Sequence, residues 1–97
     1  MSTEQNGKVA YALKIHGMVQ GVGFRYSAVR AARNYGVAGW VRNERDGTVG
    51  VFCEGEKQAV DRFLAWCRKG PPAANVRNVE VEQKTYRGRY HDFSVAF

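Results

Sequence analysis

"VAYALKIHGMVQGVGFRYSAVRAARNYG", Val9 to Gly36, is the stretch on which the fold turns. Its first eight residues alternate, with Val9, Tyr11, Leu13 and Ile15 on one side and Ala10, Ala12, Lys14 and His16 on the other. That is the period of a strand with one buried face. From Phe24 the period changes: Phe24, Ala28, Ala31, Ala32 and Tyr35 recur at helical spacing, and Gly36 is the residue type that commonly ends a helix. Between strand and helix lies a glycine loop containing Gly17, Gly21 and Gly23, with no cysteine, serine or carboxylate. A chain that passes through glycines into a helix start leaves bare N–H groups there, and the helix dipole adds partial positive charge.

Further along, "VAGWVRNE" (37–44) has the pattern of a second strand, "RDG" (45–47) of a turn and "TVGVFCEG" (48–55) of a third strand. Val60, Phe63, Leu64 and Cys67 mark a second helix, stopped by "GPP" at 70–72. "VRNVEVEQKTY" (76–86) and "YHDFSVAF" (90–97) predict two further strands. The order is βαββαβ plus a short C-terminal strand, which predicts an α+β sandwich: one mainly antiparallel sheet with two helices on one face. Residues 1–8 are expected to form a flexible N-terminal arm, and 9–97 a single domain.

With 97 residues the chain has room for one two-layer core. A hydrophobic share of 44% marks it as globular rather than disordered. No apolar run approaches the roughly 20 residues of a membrane span, and "MSTEQNGK" resembles no secretory signal, so a cytoplasmic protein without membrane contact is expected. The formal net charge of +6 favours anionic ligands without choosing among them. Cys53 and Cys67 fall in phase with apolar neighbours on a strand and a helix and are expected to be buried free thiols. Trp40 and Trp66 are expected in the core or its walls.

The geometry of the first unit brings distant residues together. A helix of about 11 residues carries the chain roughly 16 Å back along the sheet. The second strand then returns over a comparable distance and ends near Asn43 and Glu44. The glycine loop and Asn43 should therefore meet at one end of the sheet. Arg25, in the first helical turn, adds a planar, permanently charged fork suited to phosphate oxygens. Loop and arginine together describe a phosphate cradle; a tight packing loop whose glycines merely permit positive φ remains open at this point.

Sharper motifs fail. No lysine followed by Ser or Thr completes a nucleoside-triphosphate loop, and the third position of a dinucleotide GxGxxG is Tyr26. No cysteine precedes Arg25 at phosphatase spacing. His16 and His91 are the only histidines and have no partnering ligand cluster, so no metal is expected.

"GMVQGVGFR" (17–25) resembles the first signature of the acylphosphatase family: a glycine, VQGV, then an aromatic or Met before Arg. "GWVRNERDGTVGVFCEG" (39–55) is similar to the second, with an aromatic after glycine, Asn43, a hairpin glycine and a later Gly55. The resemblance covers nearly the whole chain from Val9. It implies a ferredoxin-like fold and hydrolysis of carboxyl phosphates, a small-molecule substrate class, to carboxylate and inorganic phosphate without a cofactor. It also implies that Arg25 binds phosphate and Asn43 orients the attacking water. Gln20, Gly21, Val22, Gly23 and Phe24 would form the backbone cradle.

The chemistry is self-consistent. The leaving carboxylate of an acyl phosphate has a conjugate-acid pKa of roughly 4 to 5, comparable to a side-chain carboxyl, and needs no general acid. Phosphoryl transfer asks chiefly for positioning and charge stabilisation. An amide such as Asn43 does not titrate in this range, so its part would be geometric.

Two other readings compete. The same element order occurs in RNA-recognition modules, but those want several exposed aromatics on their first and third strands, and here the third strand offers only Phe52. No nucleic-acid partner is therefore expected. A non-catalytic accessory domain of the same fold is the other alternative. A monomer is the default expectation.

Overall fold

The computed structural model describes residues 7–97. Its elements are β1 (Lys8–Met18), α1 (Phe24–Tyr35), β2 (Ala38–Asn43), β3 (Val49–Glu56), α2 (Lys57–Lys69), β4 (Asn75–Lys84) and β5 (Phe93–Val95). Together they make the expected βαββαβ order with a short fifth strand. Of the expected N-terminal arm, residues 1–6 lie outside the described residues. Lys8 already opens β1, and the Lys57 N–H donates to the Gly7 carbonyl at 2.9 Å.

The strands lie in the order β4-β1-β3-β2-β5. β3 runs antiparallel to both β1 and β2, and β1 to β4, so β1 and β2 point the same way with β3 between them. β5 adds to the far edge parallel to β2. The alternation read from the sequence sets which face is covered. Val9, Leu13 and Ile15 of β1, Val49, Val51 and Cys53 of β3 and Val41 of β2 are buried with Ala28, Ala32, Val60, Phe63 and Cys67 of the two helices.

An aromatic chain ties this core together. Phe63 packs edge-on to Phe93 at 5.3 Å and parallel to Trp66 at 6.1 Å, and Trp66 meets Phe24 at 5.4 Å. Trp66 and Trp40 are half-buried wall residues. Cys53 and Cys67 are free and buried, and desolvation pushes the Cys53 thiol up to about 12 and the Cys67 thiol well above its usual value. Thiols so raised are not nucleophiles at neutral pH.

Both helices end as their glycines predict. At Gly36, with φ of 78°, the Val37 N–H reaches the Ala32 carbonyl at 2.8 Å; at Gly70 the N–H reaches the Trp66 carbonyl at 2.7 Å. The C-terminal strand is shorter than the 90–97 expected, and β4 stops at Lys84 rather than Tyr86. Residues 85–92 instead connect the two opposite edges of the sheet and meet β2 only at their end, where the Asp92 carbonyl accepts the Gly39 N–H at 3.0 Å. No helix of the described residues is long and apolar enough to cross a membrane.

Where β1 runs out into the glycine loop, its pairing with β4 slips by one residue between His16 and Gly17. Gly17 there has a φ of 130°, and a Cβ on it would stand 2.0 Å from the Asn75 carbonyl oxygen and 2.9 Å from the Arg77 nitrogen. Those are backbone atoms and have nowhere to go. Gly17→Ala should therefore lower unfolding free energy by about 2–4 kcal/mol, read as a lower urea midpoint at unchanged m value.

Candidate active site

The glycine loop, residues 19–23, is held at both ends by apolar burial. Val19 and Phe24 are each 1% exposed, while Gly21 and Gly23 between them lie at the surface. Burying two such side chains is worth about 1.5–3 kcal/mol each, enough to pin a five-residue loop. Gly21 and Gly23 have φ of 74° and 78°, and a Cβ on either would meet nothing within 4 Å. Positive φ, not lack of room, is why glycine stands there.

Gly23 caps α1 through its carbonyl, which accepts the Ser27 N–H at 3.0 Å; no side chain caps this helix and no acidic residue lies in its first turn. Among the described residues, the backbone N–H groups of residues 20–26 reach no protein acceptor. They are a set of unpaired donors at a positive helix end.

Arg25 and Asn43 line one cavity of about 320 Å3, together with Gly21, Gly23, Phe24 and Tyr26, and with Val95 and Phe97 of the C-terminal segment along one side. The structure thus brings together the two residues singled out from the sequence, although 18 positions separate them in the chain. Arg25 is half-buried and, among the described residues, has no carboxylate partner. Other basic side chains at this end do have one: Arg42 pairs with Glu44 at 3.2 Å and Lys14 with Asp46 at 2.9 Å. No side-chain carboxylate, thiol or imidazole of the described residues lines the cavity. A larger groove, about 780 Å3, runs between α1 and α2 past Arg30, Trp66 and Lys69, away from the unpaired loop donors.

The side chains of Gln20 and Val22 turn away from the cavity. Val22 packs against the core, and the Gln20 side chain turns to the β2–β3 hairpin, where its Nε2 donates to the carbonyls of Glu44 and Thr48, each at 2.8 Å. Both amide hydrogens are used. This clamp joins the loop to the residue after Asn43, and no sequence pattern announces it, because a glutamine on a loop carries no mark of its partners. The hairpin is braced further: Thr48 donates its N–H (3.0 Å) and hydroxyl (2.6 Å) to Asp46 Oδ1. The Thr48 hydroxyl, with Lys14, holds the Asp46 carboxyl well below the usual carboxylate range.

The two-layer α+β domain brings an exposed glycine loop, an arginine with no carboxylate partner among the described residues and an amide to one cavity, a donor set suited to an anion. The chain belongs to the acylphosphatase family, whose profile matches residues 11–95. It is 44% identical over 90 residues to an acylphosphatase of Geobacter sulfurreducens, a match spanning 93% of this chain and 99% of that one. The acylphosphatase of Bacillus subtilis superposes with a TM-score of 0.88 at 34% identity, over 92% of this chain and 99% of that one. That of Coxiella burnetii superposes with a TM-score of 0.89 at 32% identity, over 99% of this chain and all of its own.

Gln20→Leu removes both clamp bonds, leaving the Glu44 carbonyl with only the Gly47 N–H and the Thr48 carbonyl with only the Glu44 N–H. The expected result is a loss of about 1–3 kcal/mol in stability. It should come with inorganic phosphate binding at least about tenfold weaker by calorimetry, as the loop loses its fixed place against the hairpin.

Proposed function

We propose that the protein hydrolyses acyl phosphates to a carboxylate and inorganic phosphate, with Arg25 and the loop N–H groups of residues 20–24 seating the phosphoryl group and Asn43 aiming water at phosphorus. The observation that carries this is the pairing, across one cavity, of Asn43 with an arginine that has no carboxylate partner among the described residues, at the mouth of a loop whose N–H groups find no acceptor among them. Family membership supports the reaction class.

The chemistry follows from what lines the cavity. The carboxylate leaves unprotonated, so no acid is required on that side. Three equatorial phosphoryl oxygens are met by a planar fork and by amide N–H groups that need no reorganisation. The attacking water needs direction rather than deprotonation by the protein, and its proton passes to a phosphate oxygen of the substrate. A Lewis acid would repeat the charge that Arg25 already supplies. The reading carries with it a monomer, acting in the cytoplasm on a small-molecule substrate.

Arg25→Ala should cut kcat/KM for benzoyl phosphate by about 100-fold or more, followed by the loss of its ultraviolet absorbance, while the circular dichroism spectrum stays that of the parent. Unchanged turnover would reject the assignment. Asn43→Ala should lower kcat by a similar factor yet leave inorganic phosphate affinity within about twofold. A loss confined to affinity would show that Asn43 binds the anion and does not place water. Turnover in a chelator should equal turnover without it.

A further inference from the structure

A second site lies on the other face of the sheet and at its other end. On β3, Cys53 faces the helices and Glu54 the open face, five residues beyond the Val49 that pairs with Asn43. At strand rise this is about 17 Å from the active-site hairpin. Residues 85–92 cover Glu54 as they cross from the β4 edge to the β5 edge. The Tyr90 N–H donates to Glu54 Oε2 at 2.9 Å, the Tyr90 ring sits 5.6 Å from Phe52, and Lys8 Nζ stands 5.8 Å from the Tyr86 ring centre.

Glu54 is 2% exposed, and its other oxygen, Oε1, has no hydrogen-bond partner among the described residues. A buried carboxylate oxygen without a donor is costly, and the proposed hydrolysis makes no use of it. Glu54 lines a cavity of about 400 Å3 shared with Trp40, Phe52, Tyr90, Arg87 and Arg89. Trp40 and Phe52 stack at 6.4 Å, both half-buried, and line one side of the cavity as an aromatic wall, with the Arg42 guanidinium 4.6 Å from the Trp40 ring centre. Arg87 and Arg89 are exposed and have no carboxylate partner among the described residues, whereas the neighbouring Lys84 is held by Glu82 at 3.1 Å.

These groups select by contradiction. A bare anion is attracted by the arginines and repelled by Glu54. A bare cation meets the reverse. What satisfies all three parts is a planar body to lie on the aromatic wall, an N–H donor at one end for Oε1 and an anion at the other for the guanidinium forks. We propose that this cavity binds a nucleoside monophosphate, its exocyclic base amine donating to Glu54 Oε1, its base against Trp40 and Phe52, and its phosphate on Arg87 and Arg89. Entry requires a small outward shift of residues 85–90, held at Tyr90 by its bond to Glu54 and its ring contact with Phe52, while Asp92 stays anchored by the Gly39 N–H and by Arg33. The site is independent of the hydrolytic reading.

The test is a titration of the whole protein with AMP, followed by amide and indole NMR shifts and repeated on Arg25→Ala, so that binding in the Arg25 cavity is told apart from binding here. Saturable shifts of the Trp40 indole N–H and the Tyr90 amide are expected. Arg89→Ala and Glu54→Gln should each weaken binding about tenfold, the size of one lost charge-assisted hydrogen bond. Arg89 is exposed, so its variant answers the question even if Glu54→Gln fails to fold. Ribose 5-phosphate should leave the indole unmoved. Equal shifts with ribose 5-phosphate would reduce the site to a basic patch and overturn the proposal. So would no response to about 10 mM AMP, where even a millimolar ligand is mostly bound. Tight binding of a short RNA without a response to AMP would overturn it as well.

Discussion

Burial of Val19 and Phe24 is the constraint from which the arrangement of the active-site end follows. The two side chains enter the core from either side of a short loop, and Gly21 and Gly23 between them project outward at positive φ. Phe24 is also the first residue of α1 and rests on Trp66, which rests on Phe63 and so reaches Phe93 of the last strand. The helix start, and with it Arg25, is therefore positioned by the packing of both helices against the sheet. A loop fixed in this way loses little entropy when it meets an anion, which is where a preorganised donor set gains its advantage over water.

The second half of the site is held by different means. Asn43 is the last residue of β2 and is exposed. Apolar packing cannot place it, and hydrogen bonds do so instead. The Glu44 N–H donates to the Thr48 carbonyl at 2.9 Å, Thr48 is bound to Asp46, and Gln20 grips the carbonyls of Glu44 and Thr48 from the loop side. Gln20 is thus the one residue whose main chain belongs to the glycine loop and whose side chain belongs to the hairpin.

What the sequence disclosed tracks the kind of force involved. Apolar periodicity located β1, both helices and the core faces, because burial leaves a pattern at fixed spacing. The meeting of Asn43 with the loop was legible too, since strand and helix rise alone return the chain to the same end. The Gln20 clamp was not, because a hydrogen-bond partner leaves no period. Glu54 was hidden for a related reason. Its alternation places it on the open face, where a glutamate ordinarily meets water, and only the crossing of residues 85–92 buries it. The same crossing explains why the final strand is Phe93–Val95: the segment before it is committed to Glu54 and to Arg33, whose guanidinium holds Asp92 at 2.9 Å.

Charge completes the division of labour between the two ends. At the end that carries the candidate site, two cations near the hairpin are paired, Arg42 with Glu44 while stacked 4.6 Å over Trp40 and Lys14 with Asp46, whereas Arg45 in the turn is exposed and has no carboxylate partner among the described residues. Exposed pairs of this kind add little to stability. Their effect is to hold the Glu44 and Asp46 carboxylates away from Arg25, the cation beside the loop amides. Had either turned toward Arg25, the protein would have gained an ion pair and lost the free guanidinium on which the proposed phosphate seat rests. Gly50 is what prevents this for Glu44. A Cβ there would lie 2.3 Å from Glu44 Oε2, so the missing side chain provides the berth in which that carboxylate sits, folded back along the sheet onto Arg42 and away from the loop.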